Sequence, residues 1–167
     1  MAIVTFEELK QIRERHKAGR IVFCSGVFDL THAGHVLFFE DCKRQGDVLV
    51  VAVGEDASVR ELKGASRPVF NEHIRMKIVD SLKPVDYCIL GLTPQGHPLA
   101  FIEKIFQHLR PDAYVVNDDA FDMSSRRIAA DQYGVSLVVL KRQCPEKFEK
   151  VSTTQIIKKI KNLRETI

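Results

Sequence analysis

At 167 residues, with 45% hydrophobic and 28% charged residues, nine Gly and six Pro, the chain has an ordinary globular composition and the length of one domain, a size at which folding buries roughly 70% of the unfolded surface. That composition excludes disordered, collagen-like and coiled-coil chains. The balance of 25 Lys+Arg against 22 Asp+Glu leaves a net charge of +3, too slight for a nucleic-acid or membrane-surface partner but suited to an anionic small ligand held locally.

Cys24, Cys42, Cys88 and Cys144 lie far apart without a C-x-x-C pair, so they read as buried thiols. The opening MAIVTFEELK has no basic segment followed by an apolar one, and no stretch approaches the ~18 apolar residues of a membrane span. The expectation is a reducing, cytoplasmic setting.

In chain order, Phe6, Leu9 and Ile12 recur at helical spacing ahead of Gly19, and Thr5 with Glu8 forms an S/T-x-x-E pattern, so an N-terminal helix is expected within 1–19. Residues 21–24 are a continuous apolar run closed by Ser25-Gly26, a buried strand. A helix over about 31–45 and a strand over 48–53 follow. The alternation continues with a helix at 71–81, a strand at 87–90, a helix at 98–109, a strand at 113–116, a helix at 123–133, a strand at 136–140 and a closing helix within 152–167. Short apolar strands alternating with helices require right-handed crossovers and a sheet covered on both faces. The expected fold is one α/β domain over 1–167, a Rossmann-like, doubly wound parallel sheet of about five strands. Its ligand should bind beyond the carboxyl ends of the strands, near the point where strand order reverses.

At such a place lies Gly26-Val27-Phe28-Asp29-Leu30-Thr31-His32-Ala33-Gly34-His35. Histidines at i and i+3 share one face of a helix's first turn, where free amides and the macrodipole favour anions, and both rings can donate to phosphate oxygens. Gly34 removes a side chain where a phosphate or base must approach, and Gly26 lets the strand turn sharply. The plainer alternative is a capping histidine beside a surface one. Zinc is disfavoured, because metal-binding helices use i, i+4 histidines with a third ligand, so no metal ligand set is expected. Neither G-x-G-x-x-G nor G-x-x-x-x-G-K-[ST] is present, which sets aside dinucleotide oxidoreductases and P-loop NTPases.

The run G-V-F-D-L-T-H-A-G-H resembles the H-x-G-H signature of the cytidylyltransferase-like nucleotidyltransferase superfamily. Within it, the stretch from Val53 to Gly64, then Arg67-Pro68, Arg75 and Val85-Asp86-Tyr87, resembles heptose 1-phosphate adenylyltransferase domains. Val151-Ser152-Thr153-Thr154-Gln155-Ile156-Ile157 resembles the I-S-T-T segment shared with glycerol-3-phosphate cytidylyltransferases, and the likeness spans roughly residues 20–160.

The resemblance implies attack by an acceptor phosphate oxygen on the α-phosphorus of a nucleoside triphosphate, with release of pyrophosphate. Such a reaction needs positioning and charge neutralisation rather than a protein nucleophile. It implies His32, His35 and Lys63 as catalytic groups, with Lys63 bridging acceptor and α-phosphate. Gly26, Val27, Phe28, Gly34, Arg75, Asp118, Lys147, Ser152, Thr153 and Thr154 would meet the nucleotide, and Mg²⁺ would accompany the triphosphate. Lys63, in a polar Gly-containing loop, has the alternative of a solvated lysine, and Ser152 that of a simple N-cap. Asp29 either meets the acceptor or orients its own loop.

Two departures from the family pattern stand out. Val115-Val116-Asn117-Asp118-Asp119 lacks a lysine found in heptose-type relatives and looks closer to the glycerol-3-phosphate pattern. The segment from Lys147 to Lys150 carries Lys for Arg and Lys for Gly, and lysine cannot repeat arginine's planar fork. The first expectation is adenylyl transfer to a sugar phosphate such as heptose 1-phosphate. Cytidylyl transfer to glycerol 3-phosphate or another polyol phosphate is the alternative within the class, and a non-catalytic nucleotide-binding module the alternative outside it. A homodimer is expected by analogy with the family.

Overall fold

The structure is a computed structural model that describes residues 2–93, 100–142, 145–148 and 151–164. Residues 98 and 99 of the expected helix 98–109, Cys144, Lys150 and the tail after residue 164 lie outside the described residues.

The chain runs β1 (Ala2–Val4), α1 (Leu9–Arg15), β2 (Ile21–Gly26), α2 (Ala33–Lys43), β3 (Val48–Gly54), α3 (Asp56–Lys63), α4 (Glu72–Asp80), β4 (Tyr87–Gly91), α5 (Ala100–Leu109), β5 (Ala113–Asn117), α6 (Met123–Gln132), β6 (Ser136–Leu140) and α7 (Thr153–Arg164). The sheet order is β1-β4-β3-β2-β5-β6, and every pairing is parallel. β2 touches β3 on one side, Cys24 opposite Val51, and β5 on the other, Cys24 opposite Val115. The order reverses there, which opens the crevice between the β2 and β5 carboxyl ends.

Both faces of the sheet are covered, which is why its inner strands read as unbroken apolar runs. Phe23, Val50 and Tyr114 pack on one face with Leu9 and Ile12 of α1, Ile105 and Phe106 of α5, and Ala129 and Ala130 of α6. Val22, Cys24, Val51 and Val115 face the opposite layer with Phe39 and Cys42 of α2 and Met76 and Val79 of α4. Cys24, Cys42 and Cys88 are buried free thiols in that second layer, as their surroundings in the sequence suggested.

The sheet has six strands where five were expected. The addition is β1, whose three residues pair with Tyr87–Ile89 of β4; three residues are too few to show a period. The second unforeseen element is α3, which ends at Lys63, a residue expected in a polar loop. Of its residues only Ser58 and Val59 are buried, so its sequence carries little helical apolar spacing, and Gly64 at φ +90 ends it. Ahead of α1, the Glu8 carboxylate accepts the Thr5 amide at 2.8 Å, one half of the anticipated capping box, while the helix itself begins at Leu9.

Candidate active site

The β2–α2 loop is built around Asp29, 1% exposed. Its carboxylate accepts from Arg67 Nε at 2.9 Å and from the amides of Val69 at 2.9 Å and Phe70 at 3.0 Å. Burial pushes its pKa up, but those two amides and the Arg67 charge outweigh that and hold it below the usual carboxylate range. The Asp29 carbonyl accepts the Thr153 hydroxyl at 2.9 Å, tying the start of α7 to this loop. Asp29 thus organises three segments and leaves its oxygens little freedom to meet an acceptor. Phe28 and Leu30 adopt left-handed φ of 51° and 47°, backbone strain of the kind that concentrates at functional loops. Gly26 is required there, since a Cβ would lie 2.8 Å from the Phe28 ring.

His32 is the N-cap of α2 and not part of its first turn. Its Nδ1 accepts the Gly34 amide at 3.2 Å, and His35 Nδ1 accepts the His32 amide at 3.4 Å. The plain capping role and the functional role therefore coexist. With Nδ1 used as an acceptor on each ring, the proton of the neutral imidazole sits on Nε2, which is free to donate outward. Burial pushes the His35 pKa down to about 3, with His32 and Arg142 adding to the shift. The His32 pKa is lowered by burial and by Arg142. Near neutral pH both rings are uncharged donors. Gly34 keeps this arrangement open, because a Cβ would stand 3.1 Å from the His32 ring.

The loop, Gly34 and His35 face a cavity of about 270 Å³ at the carboxyl ends of the strands, while His32, at the cap of α2, is not among the residues that line it. Of the anticipated residues it is lined by Gly26, Val27, Phe28, Asp29, Gly34, His35, Lys63 and Thr153. Lys63, the last residue of α3 and not a loop residue, has its pKa lowered by desolvation and by the Arg67 charge. Ser152 Oγ accepts the Gln155 amide at 3.3 Å, an N-cap bond, and Thr154 is exposed beside it.

Besides His32, Ser152 and Thr154, three more anticipated nucleotide contacts are absent from the lining. Arg75 is fully buried and donates to the Phe70 carbonyl at 2.9 Å, the Val27 carbonyl at 2.7 Å and Asp56 at 2.6 Å, so it braces the loop from behind. Asp118 is exposed, while its neighbours Asn117 and Asp119 line the cavity. Lys147 is exposed, its ammonium 5.4 Å from the centre of the Phe148 ring.

The cavity also holds two arginines that the sequence reading passed over, Arg126 and Arg142. Arg142 lies two residues past β6, and the carboxyl end of a strand in this fold was an available signal. It pairs with Asp119 at 2.9 Å and is the cation that acts on both histidines. Arg126 lies within α6 and has no such signal.

The family profile described as cytidylyltransferase-like matches residues 23–159, most of the chain and the whole of this crevice. The chain belongs to the cytidylyltransferase-like family. Among curated relatives it is 38% identical over 143 residues to the bifunctional protein HldE of Pseudomonas syringae pv. tomato, covering 85% of this chain and 28% of that protein. It is 36% identical over 163 residues to the HldE of Pseudomonas fluorescens, covering 96% and 32%. The chain thus spans under a third of these relatives' length. A solved lipopolysaccharide core biosynthesis protein from Thermoplasma volcanium is 27% identical, with a TM-score of 0.61 over 80% of this chain and 99% of that one. A pantoate-beta-alanine ligase from Francisella tularensis shares the fold at 15% identity and a TM-score of 0.65, covering 94% of this chain and 76% of the other. The superfamily read from His32-Ala33-Gly34-His35, and the doubly wound α/β class, both stand for this cytidylyltransferase-like chain.

Proposed function

We propose that this chain is a single nucleotidyltransferase domain, with ATP as donor and a sugar phosphate such as heptose 1-phosphate as acceptor, working as a homodimer in the cytoplasm. The observation that carries the transfer reaction is His35, which lines the cavity with Lys63, Arg67 and Arg142, beside His32 at the cap of the same helix, each ring accepting a backbone amide on Nδ1 so that Nε2–H is left to donate.

The acceptor phosphate oxygen attacks the α-phosphorus, the bond from that phosphorus to the bridging oxygen breaks, and pyrophosphate leaves with the electron pair. A phosphate monoester is already anionic near neutral pH, so no base is required. His32 and His35 hydrogen-bond the departing pyrophosphate without needing to lose or gain a proton. Lys63 neutralises charge between acceptor and α-phosphate, Arg142 takes the part foreseen for Lys147, and the Ser152 hydroxyl with the free amides of α7 receives terminal phosphate oxygens, Thr153 tying that helix start to the Asp29 carbonyl. Asp29 and Arg75 position the loop. Gly26, Val27, Phe28 and Gly34 form its inner wall.

The donor set does not fit a resident metal centre: among the described residues no three His, Cys, Asp or Glu side chains group to hold an ion, and the Asp29 oxygens are already bonded. Mg²⁺ would arrive on the triphosphate and screen its charge. Among the described residues no helix is long and apolar enough to cross a membrane.

The test is pyrophosphate release with Mg²⁺, crossing ATP, CTP, GTP and UTP against heptose 1-phosphate, other sugar phosphates and glycerol 3-phosphate. Turnover with ATP and a sugar 1-phosphate is expected. Turnover confined to CTP and glycerol 3-phosphate would replace both substrates, and silence across the grid despite stabilisation by a nucleotide would favour a binding module.

A further inference from the structure

The arginines around the cavity are not alike. Arg67 pairs with Asp29 at 2.9 Å, Arg75 with Asp56 at 2.6 Å and Arg142 with Asp119 at 2.9 Å. Arg126, half-buried and also facing the cavity, is held by neutral groups alone: its Nε donates to the Phe121 carbonyl at 2.7 Å, and its Nη1 donates to the Tyr114 hydroxyl and, at 3.5 Å, to Ser25 Oγ. Its guanidinium carbon lies 5.8 Å from the centre of the Tyr114 ring. Among the described residues no carboxylate pairs with it. The mount is rigid, because Tyr114 is fully buried, its ring stacked 5.2 Å from Phe23, and its hydroxyl also meets Ser25 Oγ at 3.1 Å. A guanidinium fixed by neutral acceptors and turned to a cavity is a charge whose partner is supplied by a ligand.

Its position says which ligand. The histidines ride on α2, which packs with Cys24 and Val115 on one face of the sheet, whereas Ala129 and Ala130 of α6 pack with Phe23 and Tyr114 on the other. Arg126 therefore reaches the cavity from the layer opposite the histidines. Arg142 presses on His32, His35 and Lys63, while the charge of Arg126 is felt by Tyr114 and Asp122. Displacement at phosphorus places the attacking and leaving oxygens roughly in line. If pyrophosphate departs along the α2 wall, the attacking phosphate must come from the α6 wall.

We propose that Arg126, seated on Tyr114 and Ser25, is the residue that docks the anionic phosphate of the acceptor. The assignment rests on the transfer reaction proposed above. In steady-state kinetics, Arg126→Gln is expected to raise the acceptor KM about tenfold or more, the loss of one charge-assisted hydrogen bond, with the nucleotide KM unchanged. Arg126→Lys, which keeps the cation without the fork, should fall between. Far-UV circular dichroism and the thermal midpoint report whether each variant is folded. A second arm needs no turnover: glycerol 3-phosphate or inorganic phosphate, without nucleotide, should raise the thermal midpoint of the parent chain and not that of Arg126→Gln, while ATP still stabilises both. A rise in nucleotide KM with acceptor KM unchanged would overturn the assignment, as would equal stabilisation of parent and variant by the phosphate probes. If the parent chain turns over no pair in the grid, the transfer reaction itself fails, and the second arm still decides whether Arg126 holds a phosphate.

Discussion

The rings of His32 and His35 lie 4.0 Å apart, centroid to centroid, and 24° from parallel, each with its Nδ1 turned to a backbone amide of the same helix turn. Those amide bonds fix the tautomer of both rings, leaving the proton on Nε2. Phe28 completes the mount, its ring edge-on to His35 at 5.5 Å and tilted against Phe39 at 4.8 Å. Removing a donor of this kind from a preorganised site costs about 10²–10³ in kcat. His35→Ala is therefore expected to lose about that much in kcat while staying folded; near-parental turnover in a folded variant would take His35 out of the mechanism.

The same burial sets a pH dependence of stability. The folded-state pKa of His35, about 3 against an ordinary 6.5, means that the unfolded chain binds the extra proton first as pH falls. The contribution of neutral His35 is thus fully present above about pH 6.5 and is lost progressively as pH falls toward 3. Denaturation by urea, followed from pH 7 to pH 4, should show a falling midpoint in the parent chain and a shallower fall in His35→Asn. Parallel curves would show that His35 titrates as an ordinary histidine.

Arg75 offers a contrast between stability and chemistry. Its guanidinium is fully buried against Asp56, whose side chain is 19% exposed. Removing one partner of such a pair leaves the other uncompensated, at a cost of about 3–5 kcal/mol. Arg75→Met should lower the denaturation midpoint accordingly, whereas Lys63→Met, at an exposed helix end, should leave the midpoint near that of the parent. A well-folded Arg75→Met whose sole defect is nucleotide KM would return Arg75 to the triphosphate.

The contrast also shows where the sequence was legible. Strands covered on both faces announce themselves as apolar runs, and the glycine-histidine run after β2 sits where the topology puts a ligand, so the fold and the heart of the site could be read directly. Arg75 could not. On α4 it has the spacing of any helical arginine, and only the folded loop brings the carbonyls of Val27 and Phe70 to it. α3 escaped for want of an apolar period, and β1 for want of length. Asp29 was left between meeting the acceptor and orienting its loop, because only the fold brings Arg67 and the amides of Val69 and Phe70 to its carboxylate.

Arg142 and Lys147 were separated by geometry alone. Both are cations ahead of α7, yet Arg142 lines the cavity and Lys147 does not. Arg142→Gln is expected to raise the nucleotide KM severalfold and Lys147→Gln to change it little, with the effect of Arg142 weakening as salt is raised, since its pair with Asp119 is open to solvent. The reverse order of effects in a nucleotide titration would restore Lys147 to the site.

Thr153 tests whether α7 matters as a phosphate cradle or as a strut. Its hydroxyl donates to the Asp29 carbonyl, so that bond is structural and draws the amino end of α7 over the loop that carries the histidines. Thr153→Val keeps the shape and removes the bond, leaving the Asp29 carbonyl without that donor, at a cost of about 1 kcal/mol. If the strut is what holds the free amides of α7 in place, triphosphate binding measured by calorimetry should weaken in Thr153→Val, and Thr153→Ser, which keeps the hydroxyl, should restore it. Equal affinity in all three would mean that the α7 amides hold their positions without the bond to Asp29, reducing Thr153 to a stabilising contact with no part in binding.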